Sequence, residues 1–423
     1  MKFAPRRFGR NALFASALAL SVGIFSAAFV WAQGDGHAEA IQYEPPPSDA
    51  ARLNDRVSRL GRAMAAAKET MAFDQAHGNL PGLLAALKIP VSSQVLVFSK
   101  TSLQHQNISP WTPRAIYFND DVYVGSVPDG QFLEISAVEP TIGAVFYTQS
   151  HRRGASPRLV TGVECVQCHV TPATMNIPGH IMRSVFTSAD GRLAPRVRSF
   201  LTDDRSPFEE RWGGWYVSGT MAGSLHMGNT WLRTGQDEAA FDRRAGSAIS
   251  RVPARVRTSK YLSSESDIVA LMVLGHQVTM HNLFARLHRT AASGLPVATA
   301  IEDVVRYALF VSEAPIKGPI KGTTSFAADF EALGAKDAKG RSLRQFDLER
   351  RMFRYPCSYL IYSDAFQTLP DGIKDQVYAR LVTILSGRDT DEAFSHLTAE
   401  DRTAIAEILA ATDQGFAEAQ KRG

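Results

Sequence analysis

Two cysteines and a histidine within five consecutive positions, Cys165-Val166-Gln167-Cys168-His169, constrain this chain more than any other stretch. Two intervening residues put the sulfurs about one helical turn apart, and the imidazole follows at once. At that spacing two thiols can add across the two vinyl groups of a porphyrin while the next histidine rises beneath the iron. This is the attachment signature of c-type haem. Other readings of the same residues leave part of the pattern idle. A redox dithiol does not need the histidine. A zinc site needs a second pair of soft ligands, and of three cysteines only Cys357 remains. Cys357 itself reads as a buried structural thiol, since an unpaired cysteine behaves as a small apolar residue.

The N-terminus points the same way independently. Lys2, Arg6, Arg7 and Arg10 form a basic stretch, followed by an apolar run over residues 12–32. Val30-Trp31-Ala32 has the small residues of a cleavage site, so residues 1–32 are expected to be a signal peptide. The run is also long enough to span a bilayer, which makes an uncleaved N-terminal anchor the alternative and a source of membrane association. Export fits the motif, because bacterial haem attachment of this kind occurs outside the cytoplasm. The formal charge of +4 belongs to the first 32 residues, which hold four basic and no acidic residues; the rest carries 42 of each sign. With no basic run interleaved with aromatics, nucleic-acid binding is not expected.

Four regions follow from the patterning: the segment 1–32, an N-terminal helical segment 33–92, a β-rich haem-binding region 93–260 and a helical region 261–423. Pro45-Pro46-Pro47 reads as a spacer, with Ser48 or Asp49 capping a helix that runs to about Lys68. Between Gln94 and Thr148 the pattern turns to short strands. Val95 to Phe98, Ala115 to Phe118, Val122 to Val124, Phe132 to Ile135 and Ala144 to Tyr147 are separated by turn signals such as Asn119-Asp120-Asp121 and Pro128-Asp129-Gly130. They predict an antiparallel meander. Ser264 and Asp267 read as a capping box ahead of a long apolar helix carrying His276, Met280, His281 and His288. Further helices are predicted near residues 300–312, 343–351, 372–385 and 399–411. The fold class is therefore α+β: a small antiparallel β-rich segment before the motif and a mainly α-helical C-terminal half.

Opposite His169, the second axial position decides what a haem can do. Met227 is the leading candidate. It lies 58 residues after His169 in a Gly-flanked loop, with His226, Met221 and His281 as rivals. The surrounding stretch holds Arg211, Trp212 and Trp215, which would line the haem, the arginine meeting propionates and the indoles walling the ring.

The motif makes the chain similar to c-type cytochromes. The stretches Arg114-Ala-Ile-Tyr-Phe-Asn-Asp-Asp-Val-Tyr-Val-Gly125, Arg211-Trp-Gly-Gly-Trp-Tyr-Val-Ser-Gly-Thr220 and His226-Met227-Gly228-Asn229 resemble a narrower group, uncharacterised exported bacterial single-haem cytochrome c domain proteins. The resemblance implies export and one covalent haem c on Cys165, Cys168 and His169. It carries no substrate. The expected activity is single-electron transfer by a periplasmic or otherwise extracytoplasmic monohaem cytochrome with an unidentified redox partner. The alternatives are a haem-dependent enzyme acting on peroxide or another small oxidant, and a haem-based sensor. An electron carrier needs only about 100 residues, so the extra length favours the enzyme.

Overall fold

The computed structural model describes residues 53–68, 70–151 and 158–423. The predicted signal segment and the Ser48 or Asp49 cap lie outside the described residues. The described chain belongs to one compact unit.

The five predicted strands form, the first ending one residue sooner and the other four longer than expected: β1 (Val95–Val97), β2 (Arg114–Phe118), β3 (Val122–Ser126), β4 (Phe132–Glu139) and β5 (Gly143–Ser150). Asn119 makes the tight turn between β2 and β3, its side-chain oxygen accepting from the amides of Asp121 and Val122. Two strands too short to read from the sequence complete the sheet, β6 (Leu159–Thr161) and, far along the chain, β9 (Trp215–Tyr216). The order is β6-β5-β4-β3-β2-β1-β9, antiparallel throughout. Two small ribbons stand apart, β7 (Arg183–Val185) with β8 (Ser199–Leu201) and β10 (Thr220–Met221) with β11 (Ile320–Lys321).

Alternation gives the sheet two faces. Leu96, Tyr117, Val124, Ile135, Val145 and Tyr147 point outward and are buried under α1 (Arg56–Ala65) and α2 (Leu80–Leu87). Asp55, rather than an earlier residue, caps α1 by accepting from the amides of Val57 and Ser58. It also accepts a 2.5 Å hydrogen bond from the Tyr147 hydroxyl, tying the helix to the sheet. Val95, Val97, Phe118, Tyr123 and Val138 point to the inner face, where they share a core with the C-terminal helices.

Those helices include α5 (Ile268–Ala292), α6 (Ala298–Ala308), α7 (Phe326–Ala332), α8 (Asp364–Gln367), α9 (Asp371–Leu385), α10 (Ala399–Thr412) and α11 (Gln414–Arg422); the short α3 (Val166–His169) and α4 (Arg243–Ser247) precede them. Although α5 is long and apolar enough to cross a membrane, it is a core helix, buried almost all round by the sheet and its neighbours. The predicted capping box resolves differently. Asp267 is itself the N-cap, and Ser264 plays no part in it. One Asp267 oxygen takes the Val269 amide; the other takes the amides of Thr323 and Thr324 and the Thr324 hydroxyl. Gly322 is required beside it, since a Cβ there would sit 2.5 Å from the carboxylate.

No helix forms over residues 343–351. Asp347 turns the chain by accepting from the amides of Glu349 and Arg350, and Phe346 stacks on Phe353 at 5.2 Å. Local side-chain bonds and an aromatic pair outweigh helix propensity there. Cys357 is fully buried in the shared core.

Because Asp267 satisfies four donors at the start of the central helix, Asp267→Ala should cost about 2–4 kcal/mol, a lost cap plus buried amides left without acceptors. Urea unfolding of the two proteins measures this; a difference under about 0.5 kcal/mol would show that α5 does not depend on its cap.

Candidate haem-binding site

From β6 the chain passes Gly162, whose amide donates to the Phe146 carbonyl, and enters a single 3₁₀ turn followed by α3. These two short consecutive turns carry the whole motif. Both thiols are free, Cys165 half-buried and Cys168 exposed. Burial, then the Glu164 and Glu134 carboxylates, push the Cys165 thiol up to about 11. That is the opposite of the electropositive setting that makes a redox dithiol reactive.

His169 is held from two directions. Its carbonyl accepts from the Gly179 amide at 3.0 Å, and its Nδ1 lies 2.9 Å from the Gly179 carbonyl. A carbonyl only accepts, so Nδ1 carries the proton and Nε2 is left with its lone pair. The ring packs on Phe146 with centroids 4.5 Å apart. Burial keeps this imidazole neutral, below its ordinary range. A metal-binding histidine needs this combination: neutral ring, fixed tautomer and a second nitrogen anchored to the backbone.

Gly179 is anchored in turn by α5. Asn282 takes the His180 amide at 2.9 Å and gives its own N–H to the His180 carbonyl at 2.8 Å. A side chain at position 179 would strike Asn282, at 2.6 Å. The His180 ring lies 4.4 Å from that of Tyr123, its Nε2 2.6 Å from the Ser136 hydroxyl. His281, on α5, completes the group. Its Nδ1 is 3.2 Å from the Tyr123 hydroxyl, and its buried Nε2 has no partner among the described residues. Phe146, Gly179, Tyr123 and Asn282 are not singled out by the sequence as ligands; Phe146 and Tyr123 stand in strands, Asn282 in α5 and Gly179 in a loop.

The other expected site residues fall in two places. Trp215, in β9, sits beside β1 and donates to the Arg183 carbonyl at 2.7 Å. Arg183 is close enough to His169 to lower its proton affinity. Trp212 and Arg211 are elsewhere. Trp212 is wholly buried against Phe208 and His226, and Arg211 lies over Phe208 while donating to the carbonyls of Ser206 and Asp204. Met227 is sealed in a small core with Phe186, Leu232 and Phe241, its sulfur accepting from the Ser184 hydroxyl at 3.6 Å. His226 Nδ1 accepts from the Gly228 amide, and Met221 pairs with Ile320 in the ribbon β10–β11. Of the four expected partners across the haem, the structure gathers only His281 into the cluster of rings next to His169. The loop is tied up in closing itself: the Met227 amide bonds the Arg211 carbonyl, and the Asn229 amide bonds that of Trp215.

A further grouping has catalytic chemistry without access. His276 Nε2 is 2.8 Å from the Ser358 hydroxyl and its Nδ1 3.6 Å from the Asp204 carboxylate. All three are buried, and the imidazole is sandwiched between Tyr307 and Phe310. A nucleophile sealed in this way meets no substrate, and the trio reads as a core polar network.

Burial drives the His281 and His226 imidazoles down to about 3 and about 4, against about 6.5 in an unfolded chain. The unfolded state therefore binds more protons between those values, and the stability they contribute is present above about pH 6.5 and lost as pH falls toward 4 and 3. Asp121 and Glu313, raised by burial to about 6 and about 8, act in the opposite sense. Melting curves from pH 7 to pH 4 should thus show a shallower acid loss in His281→Gln than in the parent; equal slopes would mean that His281 is not held neutral. No family model matches this chain, and no curated protein or solved structure matches it either.

Proposed function

We propose that this chain is an exported single-haem protein of the c type, with haem bound through Cys165 and Cys168 and ligated by His169, and that it passes single electrons to a redox partner. The observation that carries the reading is the Nδ1–H of His169 fixed on the Gly179 carbonyl, which leaves Nε2 free to bind a metal. The residues fit the group in other respects. Both thiols are unpaired on one short turn, and the rings of Phe146 and His180 supply an apolar and aromatic surround. When bound, the haem would supply a one-electron ferric–ferrous couple. The chain's part is to hold His169 neutral and oriented through Gly179, and to keep bulk water off its inner side with Phe146. Asn282 does this at one remove, by fixing His180 and so the turn that carries Gly179.

One observation favours a second reading, in which the position opposite His169 stays open to a small oxidant or a signalling ligand. Met227 is engaged in its own core, and ligation by it would first have to break the Ser184–Met227 contact. His281 meanwhile keeps an unpartnered nitrogen in the ring cluster, where it can hydrogen-bond a small ligand. Export rests on the basic and apolar N-terminal stretches of the sequence, with retention by an uncleaved anchor as its variant.

Acid-acetone extraction followed by a haem stain on a denaturing gel should leave a stained band, and Cys165→Ser with Cys168→Ser should abolish it. Haem that extracts freely, or a colourless parent, would overturn the reading. Carbon monoxide added to the reduced protein separates its two forms. An unchanged spectrum is expected of the electron carrier, and a shifted one of the open iron.

A further inference from the structure

Between the end of α2, the end of β2 and one face of α7 lies a cavity of about 250 Å³ that the haem-binding site does not use. On α7 its lining residues Phe326, Asp329, Phe330 and Leu333 recur at helical spacing, so one side of that helix forms a wall. Phe118, at the end of β2, forms another, and Leu84 and Ile89 close the hollow from the side of α2. All of the walls but Asp329 and Leu333 are buried. The three phenylalanine rings follow one another, Phe118 to Phe326 at 5.7 Å and Phe326 to Phe330 at 5.8 Å between centroids. The lips are Ala85 on α2 and Leu333 on α7, both exposed, Leu333 by 66%. A concave apolar surface with a few polar groups gathered at one end is the usual form of a small-molecule site.

The polar end is made by Gln277 and Asp120. Gln277 Nε2 donates to the Asn119 carbonyl at 2.7 Å and to the Tyr123 hydroxyl at 2.8 Å, and its Oε1 accepts from the Tyr359 hydroxyl at 2.7 Å. Both of its N–H groups are spent, so what it still offers is a lone pair. Asp120 gives one oxygen to Arg344, and the other has no donor among the described residues. These two residues call for a donor from the ligand, and a carboxylate makes the stronger bond with one. Charge sets a second condition. Arg344 neutralises Asp120, and the exposed Lys88 and Asp329 bring one charge of each sign to the mouth, so the lining favours neither an anion nor a cation.

We infer that this cavity binds a neutral single-ring aromatic molecule carrying a hydroxyl group, a compound of the phenol class, with its ring among Phe118, Phe326 and Phe330 and its hydroxyl donating to Asp120. The volume suits it, since an apolar cavity of about 150 Å³ already holds benzene. Offset and edge contacts with three neighbouring rings favour an aromatic guest over an aliphatic one. The site does not depend on haem attachment, although the two adjoin: the Tyr123 hydroxyl held by Gln277 lies 3.2 Å from His281 Nδ1, in the ring cluster next to His169.

Calorimetric titration of the full chain with phenol and with anisole tests this. Anisole has the same ring and oxygen but no hydroxyl hydrogen, so phenol should bind roughly tenfold more tightly, the worth of one hydrogen bond to a charged group. Ala85→Trp and Leu333→Trp, one on each lip, should each weaken phenol binding by roughly the same factor with melting unchanged, because both positions are exposed. Phenol should bind the Cys165→Ser/Cys168→Ser form as it binds the parent. No heat with phenol, equal affinities for the two compounds, or full phenol binding in both tryptophan variants would overturn the site. Loss of phenol binding in the cysteine-free motif would also overturn it, by placing the phenol at the haem; a parent without covalent haem would leave the cavity and its test unchanged.

Discussion

The amide of Asn282 uses both of its halves on the backbone of His180, and the geometry around the motif depends on that pair of hydrogen bonds. Asn282 lies within α5, the most buried helix among the described residues, so the anchor is part of the close-packed core. His180 is held, Gly179 before it is held, and Gly179 in turn grips His169 at both its carbonyl and its Nδ1. A loop that would otherwise be free to wander thus takes its position from a helix more than a hundred residues later in the chain. The helical half thus helps to position the motif loop.

The β-sheet supplies the other wall. Its two faces have different work, one closed by α1 and α2 and the other packed against α5 and the helical core. The polar groups on the inner face reach into the helical core through Tyr123. Its hydroxyl takes the Gln277 amide, and Gln277 accepts from Tyr359. Such a chain of satisfied bonds lets polar side chains lie deep between sheet and helices without the penalty of unpaired burial.

Electrostatics agree with this division. The imidazoles of His169, His180 and His281 are all held neutral by burial. Neutral imidazoles can sit together in low dielectric where imidazolium ions could not, and only a neutral ring can offer a lone pair. Burial and the Glu164 and Glu134 carboxylates push the Cys165 thiol up, away from the reactive thiolate form.

Local pattern alone determined a good deal. The five strands from Val95 to Ser150, the long helix from Ile268 and the helices beginning at Asp371 and Ala399 were legible because alternation, helical periodicity and turn residues are short-range signals. Cys165, Cys168 and His169 were legible because their spacing is contained in one turn. Some features escaped that reading: β6 and β9, the Asp55 and Asp267 caps as they stand, and the absence of a helix near Leu343, where Phe346 and Asp347 close a turn instead. A two-residue strand such as β9 has no period to detect, and the Asp267 cap takes two of its amides from Thr323 and Thr324, far along the chain. The surroundings of His169 belonged entirely to the tertiary structure. Trp212, Arg211 and Met227 are near neighbours in sequence to Trp215, yet only Trp215 enters the sheet; Trp212 packs against Phe208 in the shared core with Arg211 over the same ring, and Met227 lies in a small core with Phe186. Phe146, His180 and Asn282 meet because strand register and helix packing bring together residues up to 136 positions apart, and no spacing along the chain encodes a contact of that range.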